Sequence, residues 1–127
     1  MRPLILLSTA LVLASCARPG TPGSSELFAR ELAGRAAGAP QTCINTLPAQ
    51  NLRAIDDHTI AYDRGTTIYV NRLLDNCPSV GPHNTLIVQA SIAGQYCRGD
   101  QISGNEPGGI IAGPACNLQD WVPYKRS

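Results

Sequence analysis

The sequence has little charge of either sign and almost no excess of one over the other. Charged residues are 15% of the 127, with Lys plus Arg at 10 against Asp plus Glu at 9. That near-balance argues against a chain that binds nucleic acid electrostatically. Aromatic residues are scarce, at 5%, with one Trp and one Phe, so a core built here is small. No Cys-x-x-Cys pair occurs, which removes the usual zinc and thiol-redox signatures. Ser79, Ser91 and Ser103 lie in no Gly-x-Ser-x-Gly elbow. Asp56, Asp57, Asp63 and Asp75 do not fit a calcium-loop spacing. Gly104 to Gly113 is glycine-rich but has no phosphate-loop lysine. Hydrophobic residues nonetheless make up 43%, too many for a disordered chain. The length suits one small domain.

What is present begins at residue 1. Arg2 precedes an uncharged apolar run from Leu4 to Ala14, too short to span a bilayer and suited to the core of a secretory signal peptide. The run ends in Leu13-Ala14-Ser15-Cys16, which resembles a bacterial lipobox. Residues 1–15 are therefore expected to be removed as a signal peptide, leaving Cys16 as a lipidated N-terminus. The alternative is ordinary signal cleavage after Ala17. Each acyl methylene buried in a membrane adds about 0.8 kcal/mol, so several chains anchor firmly. Ala17 follows the cysteine where an Asp would retain a lipoprotein at the inner membrane, so the resemblance implies the outer membrane, facing the periplasm. Loss of Arg2 would leave nine basic and nine acidic side chains.

Cys16, Cys43, Cys77, Cys97 and Cys116 make an odd number. Lipidation of Cys16 accounts for one. The other four read as two disulfides in an oxidising periplasm, and three pairings are open.

Residues 16–25 form the lipidated end and a Pro/Gly/Ser-rich tether. Residues 26–127 are expected to form one domain. Its first part, 26–37, suits a short helix capped by Ser25, with Phe28 and Leu32 on one face, weakened at Gly34 and ended by Gly38 and Pro40. Beyond Cys43 the signals are β. Thr59–Tyr62 and Thr66–Val70, joined by Asp63-Arg64-Gly65, predict a hairpin with a three-residue loop. Leu86–Val88, Gln95–Cys97, Ile110–Ala112 and the segment 118–124 are further strand candidates. The expected class is mainly β: a small antiparallel sheet or partly open barrel with a short N-terminal helix.

Several blocks carry a family resemblance. They are Leu32-Ala33-Gly34-Arg35 with Ala37-Gly38, Pro40 and Cys43-Ile44; then Ile55-Asp56-Asp57 with Thr59-Ile60; then Cys77-Pro78; then Tyr96-Cys97-Arg98-Gly99-Asp100; then Cys116, Leu118 and Val122-Pro123-Tyr124. In this order the chain resembles small envelope proteins of sphingomonads and related proteobacteria, grouped as a domain of unknown function. The resemblance spans residues 32–124. It implies a secreted β-rich domain with no assigned activity or cofactor, and the pairing Cys43–Cys97 and Cys77–Cys116.

Two groups stand out as a possible surface site. Asp56-Asp57-His58 could bind a metal or move a proton, but acidic residues before a strand more often make turn hydrogen bonds. Arg98-Gly99-Asp100 spells an adhesion tripeptide, for which a local Arg–Asp pair or an Asp turn cap is the plainer reading. His83 has no tie in sequence to His58. Tyr62, Tyr69 and Tyr96 could face a ligand or sit half-buried in a sheet. These residues compose no catalytic set, no metal site and no cofactor site. The sequence thus points to a lipid-anchored envelope protein with a structural or interaction role and an envelope protein as its candidate partner. A periplasmic inhibitor of a lysozyme or protease, with the loops 76–84 and 104–109 as plugs, is the alternative. A small hydrolase working at Asp56, Asp57 and His58 comes third.

Overall fold

The computed structural model describes residues 23–47 and 51–126. The expected signal peptide 1–15, Cys16 and most of the tether lie outside the described residues. Helix α1 runs Ser24–Leu32. Glu26 in its first turn and Arg30 in its last complement the helix dipole. The cap is Gly23 and not Ser25, because the Ser25 hydroxyl is engaged elsewhere, on Asp56. The helix also stops five residues short of Ala37. Gly34 takes φ +80°, a left-handed turn that glycine alone enters freely, and the chain leaves as a strand.

Ten strands follow. They are β1 (Arg35–Ala37), β2 (Cys43–Asn45), β3 (Leu52–Ala54), β4 (Thr59–Arg64), β5 (Thr67–Arg72), β6 (Thr85–Gln89), β7 (Gln95–Cys97), β8 (Gln101–Asn105), β9 (Cys116–Asn117) and β10 (Trp121–Arg126). A central antiparallel sheet has the order β1-β10-β5-β4-β3, and two smaller sheets pair β2 with β7 and β6-β8-β9. They form no closed barrel among the described residues. The expected mainly β class with one short helix and two disulfides is the class found.

The β4–β5 hairpin is present, with a correction at its turn. Arg64 pairs with Thr67, so the loop is the two residues Gly65-Thr66, with Gly65 at φ +60°. A positive φ at the first of two loop residues matches strand twist better than the longer loop expected. Ile110–Ala112 is not a strand. No neighbouring strand offers it a ladder, and it lies in the open loop between β8 and β9.

Alternation along the central strands divides the core in two. Ile60, Tyr62 and Trp121 face a layer made by the smaller sheets, with Ile44, Val80, Ile102 and Leu118. Ala61, Ile68 and Val70 face α1 through Phe28 and Leu32. The order is thus helix, central sheet, then the two small sheets. Cys43 and Cys97 are directly opposed on β2 and β7 and form one disulfide; Cys77–Cys116 ties the loop after β5 to β9. Among the described residues the polar side-chain atoms sealed inside are paired, except Asn105 Oδ1. Trp121 Nε1 donates to Tyr96 O at 3.0 Å, the Tyr62 hydroxyl to Thr46 O at 3.0 Å, and Asn71 exchanges two bonds with the Gln119 backbone.

Candidate functional site

Asp56, Asp57 and His58 form the turn between β3 and β4. His58 N–H donates to Asp56 Oδ1 at 3.0 Å, an Asx turn that closes the chain on itself. Asp56 Oδ2 accepts from the Ser25 hydroxyl at 2.7 Å, which fixes the first turn of α1 to the sheet. The backbone of the same turn reaches the other layer: Asp57 O accepts from Cys77 N–H at 2.6 Å and His58 O from Leu73 N–H at 2.8 Å. Three residues therefore join the helix, the central sheet and the disulfide-bearing loop.

The side chains converge as well. His58 Nδ1 lies 2.9 Å from Asp57 Oδ1 and 3.2 Å from Asp56 Oδ1. One donor atom from each residue falls within 4.8 Å of the others, two carboxylates and an imidazole that could hold a divalent cation on donor chemistry alone. Burial pushes the Asp56 carboxyl up, but hydrogen bonds from Ser25, the His58 backbone and Thr59, with the nearby His58 charge, outweigh it and hold the group below the usual aspartate range. Both Asp56 oxygens already accept bonds that shape the turn. The arrangement performs the turn role expected of acidic residues before a strand.

The second group separates. Asp100 was expected on the surface with Arg98; it is 5% exposed. It is drawn inside because its carboxylate collects three donors: Ser91 N–H at 3.2 Å, the Ser91 hydroxyl at 2.8 Å and Cys97 N–H at 2.8 Å. Asp100 N–H closes the turn on Cys97 O at 3.0 Å, with Gly99 at φ +90° in the position where a type II turn needs glycine. Arg98 points outward and pairs with Asp120 at 3.1 Å instead of with Asp100. The tripeptide is a turn bracket with one buried residue, the Asp cap that the sequence allowed.

His83 is exposed in the Gly81–Asn84 turn. Tyr62 is 2% exposed and Tyr69 and Tyr96 pack against the same core, so the three tyrosines present no common outer face. Tyr62 and Tyr96 meet edge to face at 6.4 Å.

Two features were not visible in sequence. Arg53 on β3 makes a fork to Glu31 of α1, at 2.6 and 3.2 Å, and reaches Asp63 of β4 at 2.8 Å. Its guanidinium sits 5.5 Å from the Phe28 ring centroid. The Arg53 hydrogen bond holds the Glu31 carboxyl below its ordinary range, and Glu31 in turn raises Arg53. Nothing in the spacing signals contacts made across layers. The second feature is the loop after β8, where Ile110 and Ile111 stand in solvent. Its consecutive aliphatic residues read as a strand, and only the absence of a partner strand shows otherwise.

No family model matches the chain, and no curated protein and no solved structure is significantly similar to it.

Proposed function

We propose that the chain is a lipid-anchored protein of the bacterial cell envelope, resembling small sphingomonad envelope proteins, whose domain acts by binding. The observation that carries this reading is how the cysteines divide. Four pair as Cys43–Cys97 and Cys77–Cys116, and the fifth, Cys16, closes the apolar run Leu4–Ala14. Two disulfides in a small domain fit an oxidising compartment such as the periplasm. A cysteine directly after an apolar segment with small residues beside it fits acyl transfer at its thiol. The engagement of Asp56, Asp57 and Asp100 in turns supports binding over catalysis. Fractionation tests the anchor: the wild-type chain belongs in the outer membrane, and Cys16→Ser is expected to lose membrane association. A Cys16→Ser protein that stays with the membrane would overturn the reading.

A second reading, a periplasmic inhibitor of a lytic enzyme, is favoured by the exposed Ile110 and Ile111. A loop held at its ends can enter a cleft with little loss of entropy. Titration of the protein into lysozyme and protease assays tests it, with inhibition near one equivalent as the supporting result.

A further inference from the structure

The near-balance of charge over the whole chain hides a separation of charge along the central sheet. The end at the β4–β5 turn carries five cations. Arg35 on β1 stands directly opposite Arg126 on β10, and Lys125 and Arg64 flank Thr67 on either side. Arg30 joins them from the last turn of α1. The exit of the helix is fixed at this end, because Arg35 Nη1 donates to Thr66 O in the turn at 2.6 Å. The two carboxylates here, Glu31 and Asp63, are both held by Arg53, at 2.6 and 2.8 Å. Arg35 and Arg64 reach only backbone carbonyls. Among the described residues Arg30, Lys125 and Arg126 are exposed with no hydrogen bond or ion pair. The opposite end of the sheet, about 20 Å away along β4, carries Glu26, Asp56, Asp57 and Asp75. Against them stand Arg72 and Arg98, the latter already paired with Asp120.

Like charges opposite one another on neighbouring strands destabilise a sheet. Arg35 and Arg126 bear that cost with the nearby acids already taken by Arg53, which fits a surface completed by anions from outside. Four of the five cations are Arg, whose fork matches carboxylate and phosphate alike. From β1 through β10 and β5 to β4 they cover three strand spacings, about 15 Å, so they address a row of separate anions and not one small ligand. We infer that this end of the sheet binds the free carboxylates of the cell-wall polymer, peptidoglycan. The choice of polymer rests on the lipid anchor proposed above. Cys16 would join the domain through Gly23, before the first turn of α1, which Ser25 fixes to Asp56 at the acidic end. The seven residues from Cys16 to Gly23 reach at most about 25 Å. The basic end therefore points away from the anchoring bilayer and its phosphates, toward the wall. Repulsion between anionic headgroups and the carboxylates at the anchored end favours the same orientation.

The test uses the full chain, taken from its envelope in a non-ionic detergent, and purified insoluble peptidoglycan with which it is expected to sediment. Arg30→Gln, Lys125→Gln and Arg126→Gln together are expected to weaken binding about tenfold while both disulfides stay formed, since none of the three side chains bonds within the fold. Arg72→Gln, at the other end, is expected to leave binding unchanged. Raising the salt to about 1 M, where the screening length falls to about 3 Å, is expected to release the chain. Peptidoglycan with its carboxylates amidated is expected not to bind. No sedimentation, equal binding to the amidated polymer, or an undiminished triple variant would overturn the inference. Displacement from the wall by micelles doped with phosphatidylglycerol, at equal anion content, would overturn it in favour of phosphate headgroups. The anchor is read separately, from acyl chains on Cys16 in the same preparation. Carboxylate-dependent sedimentation of an unlipidated chain would uphold this surface and remove only the anchor, and a lipidated chain that ignores the wall would do the reverse.

Discussion

Replacing Asp100 by alanine removes the acceptor for three donors at once. The Cys97 N–H is buried beside a disulfide, and an unsatisfied buried donor costs about 1–3 kcal/mol. Ser91 is exposed, so water recovers part of the bonds its two donors make and each contributes about 0.5–1 kcal/mol. Together the expected loss is about 3 kcal/mol, a fall in Tm of roughly 12–20 °C for a domain of this size. Gly99→Ala meets open space but must hold φ +90°, which costs about 1–2 kcal/mol. Arg98→Ala removes one exposed pair with Asp120 and is expected to cost under about 1 kcal/mol. Thermal unfolding followed by circular dichroism, with the disulfides intact, reads all three. The order Asp100, then Gly99, then Arg98 follows from a turn bracket. An Asp100→Ala Tm within about 3 °C of wild type would refute the reasoning, because the carboxylate would then not be holding the turn.

Other outcomes follow from the same structure. Phe28→Ala empties the contact between α1 and the central sheet and is expected to cost about 3 kcal/mol, measured by urea unfolding. Removing the Cys77–Cys116 bridge as a double serine variant releases a closed loop spanning a sequence separation of 39 residues, an effect of about 4 kcal/mol on the unfolded state in the chain-entropy model, seen as a lower denaturation midpoint. Asp56 sits below its ordinary pKa, so its contribution is fully present above the unfolded aspartate value and is lost as pH falls through the lower folded value. Ser25→Ala removes one of the bonds that lower it, and the acid-unfolding midpoint is expected to move to higher pH.

Much of the central sheet was legible because β-branched and aromatic residues cluster at period two in Thr59–Tyr62 and Thr66–Val70, where one strand pairs with its sequence neighbour. What was not legible depends on partners distant in sequence. Arg35–Ala37 has good helix formers, yet it is β1, because Gly34 turns the chain and β10 offers a free edge, pairing Arg35 with Arg126. Pro123 lies within β10 where a proline argues against a strand; it is tolerated because its missing N–H falls beyond the end of β1, where Gly38 donates to Pro123 O at 2.7 Å. Gln101–Asn105 reads as polar and turn-like, yet it is β8, with a glycine at 104 because Ser79 presses against that position. The disulfide pairing came from a resemblance, and Cys43 and Cys97 are face to face on β2 and β7. The candidate site was half legible. The Asp56–His58 turn lies within one short segment and can be read locally. The burial of Asp100 depends on Ser91, nine residues away, and the Glu31–Arg53–Asp63 contacts depend on packing between layers.

Mass spectrometry of the protein taken from its own envelope, digested without reduction, tests the central claim most directly. The account expects Cys16 as the first residue of the mature chain, carrying acyl chains, together with linked peptides for Cys43–Cys97 and Cys77–Cys116. A mature chain that begins elsewhere, or a Cys16 without lipid, would contradict it.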